Sequence, residues 1–139
     1  MIVSATYVDT NVIIAFMDEK DPNHAKACEL LRKEKRKITS FLTLIELSSV
    51  FSRAGLDDPQ ALAIYSAECA GVEIVDIKFE RAMRLAFELS DRLKLRTLDL
   101  LHIVFAIEAG AKRILTFDRE IIARKEEIGK LGSEVVDIV

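Results

Sequence analysis

The stretch IVSATYVDTNVIIAFM, Ile2 to Met17, decides the fold. It opens with β-prone residues from Ile2 to Val8, and Asp9 closes that run. Asn11 to Met17 then reads as the start of a helix. A strand that passes straight into a helix is the opening unit of an α/β domain. In such folds ligands sit beyond the carboxyl ends of the strands, which is where Asp9 stands.

Outward from this unit the alternation continues. Asp21-Pro22-Asn23 is a turn and cap signal. The helix after it carries Ala25, Cys28, Leu30 and Leu31 on its apolar side. The charge run RKEKRK, Arg32 to Lys37, reads as a solvated helix end, and Ile38-Thr39 as a brief strand. Phe41 to Arg53 is an apolar helix, followed by a turn from Gly55 to Pro59. Gln60 to Ala70 is a further helix capped by Gly71, and Val72 to Ile77 a strand. Phe79, Met83, Ala86, Leu89 and Leu93 fall on one side of a helix over Phe79–Leu93. Thr97 to Ala109 is a strongly apolar helix ended by Gly110, and Arg113 to Thr116 a short strand. Asp118 opens a last amphipathic helix, and Glu134 to Val139 is a final strand. The expected fold class is α/β with a central, mostly parallel sheet. With no linker, repeat or low-complexity segment, residues 1–139 are expected to form one domain.

Composition narrows the function. Half of the 139 residues are hydrophobic and only 6% aromatic, so the core is built of Leu, Ile, Val and Ala. The net charge of −3 argues against a nucleic-acid binder held mainly by electrostatics. It leaves room for an enzyme that gathers acids around a cation. Cys28 and Cys69 lack metal-type spacing, and their small number fits a reducing, cytoplasmic compartment. No apolar run reaches about 18 residues, so no membrane span is expected. The N-terminus lacks the features of a signal peptide.

Four acids form the candidate catalytic set: Asp9, Glu46, Asp99 and Asp118. Asp9 and Asp118 each follow a strand, though Asp is also a good helix N-cap. Glu46 shares a helical stripe with Leu42 and Val50. A charge there needs a metal, or a salt bridge with a partner such as an Arg. Asp99 and His102 form a narrow polar stripe on an otherwise apolar helix. Asp99 in the first turn, behind Thr97 as cap, would also suit the helix dipole. His102 as a metal ligand would point to zinc, but hydrogen bonding behind the ligands or simple packing is the reading taken. Four like charges repel unless a cation joins them. Hard oxygen donors suit magnesium or manganese, and an ion so held activates water for phosphodiester hydrolysis.

Other phosphoryl-transfer classes fit less well. The haloacid-dehalogenase type needs Asp-x-Asp, and the run here is Asp9-Thr10-Asn11. A response-regulator receiver needs an earlier acidic pair and a late Lys, neither evident. No glycine-rich phosphate loop is present in the sequence.

At these same residues the chain resembles the PIN-domain family. VDTNVII after the first strand resembles its opening motif, with Asp9 as ligand and Asn11 as a supporting polar group. LIELSS around Glu46 resembles the second motif, and RTLDLLHIVFA, with Asp99 as ligand, the third. ILTFDREI resembles the fourth, with Thr116 as a supporting hydroxyl and Asp118 as the acid. The order, approximate spacing and length agree from Tyr7 to about Ile121, where members often carry an aromatic residue. The resemblance implies a three-layer α/β/α sandwich and a magnesium- or manganese-dependent ribonuclease acting on RNA. It often denotes the toxin half of a VapC-type toxin–antitoxin pair, a homodimer inhibited by a small antitoxin. Asp9 and Asp99 would hold the principal metal, partly through water, while Glu46 and Asp118 would hold a second ion or orient the attacking water. Glu120 reads as an exposed helix-start acid rather than a further ligand. Arg53, Arg96 and Arg119 lie near the motifs and could meet substrate phosphates, but read first as surface charges. The alternative outside enzymology is a non-catalytic PIN-like binding module. It would dock through an apolar face such as Leu62, Ile64, Tyr65 and Ala67 of the Gln60–Ala70 helix, which otherwise reads as core.

Overall fold

Strand β1 (Ala5–Val8) is buried along its whole length, as a central strand must be. A computed structural model describes residues 3–136 of the chain. The elements after β1 are α1 (Thr10–Met17), α2 (His24–Lys33), β2 (Arg36–Thr39), α3 (Phe41–Arg53), α4 (Pro59–Cys69) and β3 (Val72–Ile74). They continue with α5 (Phe79–Leu93), α6 (Thr97–Glu108), β4 (Arg113–Leu115), α7 (Arg119–Ile122), α8 (Lys125–Gly129) and β5 (Glu134–Val135).

The sheet runs β3-β2-β1-β4-β5 and every pairing is parallel. Tyr7 stands level with Ile38 on one side and Ile114 on the other. Side chains alternate across a strand, so neighbours on β1 and β4 serve opposite faces. Tyr7 and Ile114 pack with Leu89, Leu93, Ile103 and Val104 of α5 and α6, joined by Ile121 and Ile128. Val8 and Leu115 pack with Val12 and Ile13 of α1, Leu31 of α2, Leu47 of α3 and Ala63 of α4. Two apolar cores on the two faces of one sheet make the three-layer α/β/α arrangement. The chain winds outward from β1 to β3, then crosses over to β4. The crevice beyond β1 and β4 is therefore the topological switch point.

Several local expectations change. The charge run does not end a helix throughout: α2 stops at Lys33, and Arg36 and Lys37 already belong to β2. A strand that begins at the sheet's rim can carry charges until it enters the core at Ile38. In α2 the expected Leu30 and Leu31 are buried, but the core alanine is Ala27, while Ala25 is exposed. Phe79, the first residue of α5, is also exposed, and Ala82 fills the inner stripe. The core reading of α4 holds for Ala67 but not for Ile64 and Tyr65, which face outward, and Ala63 is buried in their place. The segment opened by Asp118 is two short helices, α7 and α8, rather than one. Gly110 does close α6, with the positive φ of 73° that a helix-ending glycine adopts. The expected strand ends at Ile2 and at Asp137 to Val139 lie outside the described residues. Among the described residues, no helix is long and apolar enough to cross a membrane.

Candidate active site

The four motif acids arrive from four directions. Asp9 leaves the end of β1, Glu46 lies mid-way along α3, Asp99 in the first turn of α6, and Asp118 just past β4. They line one cleft of about 430 Å3 together with His102, Asn11, Thr10 and Arg53. Its apolar walls include Ile14, Leu42, Ile45, Val50 and Leu98. The stripe Leu42–Glu46–Val50 thus faces this cleft, half-buried, while Thr43 and Leu47 of the same helix enter the core. A wider groove of about 930 Å3 lies along α5 and holds none of these acids. Among its charges, Arg81 pairs with Glu108 and Arg84 with Glu80.

Asp9 is buried and fixed from three sides. Its Oδ1 accepts from the Thr10 amide at 2.8 Å, which makes it the N-cap of α1. Its Oδ2 accepts from Thr116 Oγ1 at 2.7 Å and from Asn11 Nδ2 at 3.3 Å. Asn11 in turn accepts from the Phe117 amide at 3.1 Å, and Thr116 Oγ1 from the Asp118 amide at 3.0 Å. The two supporting residues thereby tie the end of β1 to the end of β4. Asp118 caps α7, its Oδ1 accepting from Glu120 N at 2.8 Å and Ile121 N at 3.4 Å. Cap and cleft positions coincide at both residues. Thr97 does not cap α6: the N-cap is Arg96, without a side-chain bond, and Asp99 bonds Asp118 instead.

Among the described residues Glu46 has no Arg partner. Its Oε1 accepts from Thr10 Oγ1 at 2.7 Å and from His102 Nε2. His102, almost wholly buried, also lies 3.5 Å from Asp9 Oδ1. Donor atoms of Asp9, Glu46 and His102 lie within 4.8 Å of one another, as do those of Asp99, Asp118 and Glu120. Asp9 and Asp99, expected to share the principal ion, thus fall in adjoining clusters of the same cleft. Glu120, on the exposed side, is also paired with Arg96 at 3.3 Å. Arg119 is exposed beside it, and Arg53 is the Arg that lines the cleft.

The electrostatics follow from this crowding. Burial pushes the Asp9 carboxyl up, and Glu46 adds to that, against His102, Thr116 and Thr10. Burial, Asp118 and Asp9 push Asp99 up to about 6, with His102 opposing. Burial works against charge on His102, but its bond to Glu46 and the fields of Tyr7, Asp9 and Glu46 push it up to about 10. Glu46 goes the other way. Burial favours its neutral form, and the bonds and charge of His102 and Thr10 outweigh it, holding the carboxyl below its usual range. His102 lies between Asp9 and Glu46, and Asp99 lies against Asp118. The sequence singled out His102 but not its partner Tyr7, nor Ser40 behind Tyr7, nor Thr10, the second donor to Glu46. The one signal for Tyr7 was a phenol in a buried strand, whose hydroxyl needs a bond.

A sequence comparison with curated proteins finds no significant match. Solved structures of the same fold do match. One is the toxin VapC20 of Mycobacterium tuberculosis, which cleaves the sarcin–ricin loop: 20% identity, 85% of this chain and 93% of that one, TM-score 0.68. Another is VapBC2 of Rickettsia felis bound to promoter DNA: 21% identity, 96% and 99% coverage, TM-score 0.65. A third is a toxin–antitoxin complex from Klebsiella pneumoniae: 17% identity, 96% and 98% coverage, TM-score 0.68. At these identities the likeness speaks for the fold. The sequence itself goes further, because the PIN-domain profile matches residues 6–127, from within β1 to within α8, and so spans every residue that lines the cleft. The chain belongs to the PIN-domain family.

Proposed function

We propose that this protein is a divalent-metal-dependent endoribonuclease that hydrolyses phosphodiester bonds in RNA. The observation that carries the reading is the convergence of Asp9, Glu46, Asp99 and Asp118 on one cleft at the switch point of the sheet. The donor set fits magnesium or manganese. It is rich in hard carboxylate oxygens, and two of its acids are pushed up by burial and by neighbouring carboxylates, which a bound cation would offset. Asp9 and Asp99 would hold the principal ion, and Glu46 and Asp118 a second ion or the attacking water. An ion held there supplies Lewis acidity and lowers the pKa of a water.

The chain's own groups do the rest. Thr116 and Asn11 keep the Asp9 carboxylate turned into the cleft. Leu42, Ile45, Val50 and Leu98 form walls that limit water around the acids. Arg53 stands at the same cleft and supplies positive charge for a substrate phosphate.

The toxin half of a toxin–antitoxin pair is the setting that the VapC and VapBC structures support. A homodimer and a small antitoxin partner belong to that proposal. Phe41, Ile45 and Ile64 support a protein partner, since they are 65%, 56% and 51% exposed and line one apolar groove across α3 and α4.

The test is cleavage of a structured RNA pool by the wild-type protein in magnesium, manganese or EDTA. Cutting in the two metals that EDTA abolishes is the expected result. Cutting that survives EDTA, or a protein that neither cuts nor binds manganese, would exclude the metal-dependent nuclease and leave a binding module.

A further inference from the structure

Behind the cleft runs a chain of hydrogen bonds that four acids and a metal do not require. Ser40 Oγ bonds Tyr7 OH at 2.8 Å, Tyr7 OH bonds His102 Nδ1 at 2.8 Å, and His102 Nε2 bonds Glu46 Oε1. Thr10 Oγ1 donates to the same Glu46 oxygen at 2.7 Å. The participants come from five places: the start of α3, β1, α6, the middle of α3, and α1. Ser40, Tyr7 and His102 are only 2%, 0% and 3% exposed, so the chain is anchored in the core and ends at the cleft. Tyr7 and His102 also meet edge to face, with ring centroids 5.8 Å apart.

We propose that His102 is a positioning residue for Glu46. Tyr7, itself held by Ser40, fixes the imidazole. The imidazole and Thr10 then grip Oε1 of Glu46 and turn Oε2, which has no protein donor among the described residues, toward whatever cation or water the cleft takes. A carboxylate accepts only, so Nε2–H is the donor in both protonation states of the ring. Neutral His102 accepts from Tyr7 at Nδ1, charged His102 donates to it, and the grip on Glu46 is the same. Glutamate has three side-chain torsions, and two donors from separate elements remove that freedom. Any buried imidazole needs hydrogen-bond partners, and here one of the two is an acid that lines the cleft. Outer partners that orient a ligand typically change metal affinity when lost.

This inference rests on the metal-dependent reading of the same cleft. Its test measures manganese affinity by calorimetry, together with kcat and KM for RNA cleavage, in wild type, Tyr7→Phe and His102→Gln. Thermal melts confirm that each variant is folded at the assay temperature. Tyr7→Phe keeps the ring and touches nothing in the cleft. It is expected to weaken manganese about 10-fold and to lower kcat with KM unchanged, and His102→Gln up to about 100-fold. Should His102→Gln fail to fold, Tyr7→Phe decides alone. Wild-type manganese affinity and kcat in Tyr7→Phe, with only a lower melting temperature, would overturn the positioning role and leave a packing one. A wild-type protein whose manganese affinity is indifferent to Asp9→Asn would instead remove the metal reading, and this inference with it.

Discussion

At Asp9 the helix cap and the cleft acid are one residue, and the cap is part of what holds the carboxylate in place. Asp99 has no such amide support and carries the consequence in its titration. Its folded-state value, pushed by burial and its acidic neighbours from 3.8 to about 6, means that the folded chain keeps a proton the unfolded chain has released. Stability of the metal-free protein therefore falls as pH rises through that window, and the loss is complete above it. Urea denaturation in EDTA at pH 5 and pH 8 is expected to show Asp99→Asn gaining about 1–2 kcal/mol on wild type at the higher pH, after allowance for the exposure of the group, and about half of that at pH 5, which already lies inside the window. Equal differences at both values would mean that Asp99 is not so strained. His102 loses its stabilising charge only as pH rises from 6.5 through about 10, in wild type and variant alike, so the comparison isolates Asp99. All four acids were legible in the sequence because each sits at a strand end or on an apolar stripe. Tyr7, Ser40 and Thr10 were not, since their partners lie 33 to 95 residues away and only the fold brings them together.

Among the elements, α7 shows how capping and chemistry can be separated. Asp118 accepts from two amides at its start. Asparagine caps nearly as well as aspartate, whereas alanine costs about 0.5–2 kcal/mol. Asp118→Asn is therefore expected to melt close to wild type yet lose most RNA cleavage, while Asp118→Ala loses both stability and cleavage. An active Asp118→Asn would reduce that residue to a cap. The long helices were legible from periodicity, as in α5 with Ala86, Leu89 and Leu93. The short pieces were not. The break between α7 and α8 and the start of β2 inside a charged run are set by where the chain meets the sheet, not by local propensity.

For the whole molecule, the parallel sheet and its switch point do the positioning. Crossing from β3 to β4 brings segments 9, 46, 99 and 118 to one crevice, although they span most of the chain. The α/β class followed from the strand–helix alternation. The all-parallel order did not, because strand order depends on crossovers that no local pattern records. The net charge of −3 fits a site that concentrates acids. The most direct test is cleavage of structured RNA in manganese by wild type and Asp99→Asn side by side. The prediction is cutting by the wild type and a loss of at least about 100-fold in the variant, with the variant still folded. Equal cutting by both would contradict a carboxylate-held metal centre in this cleft.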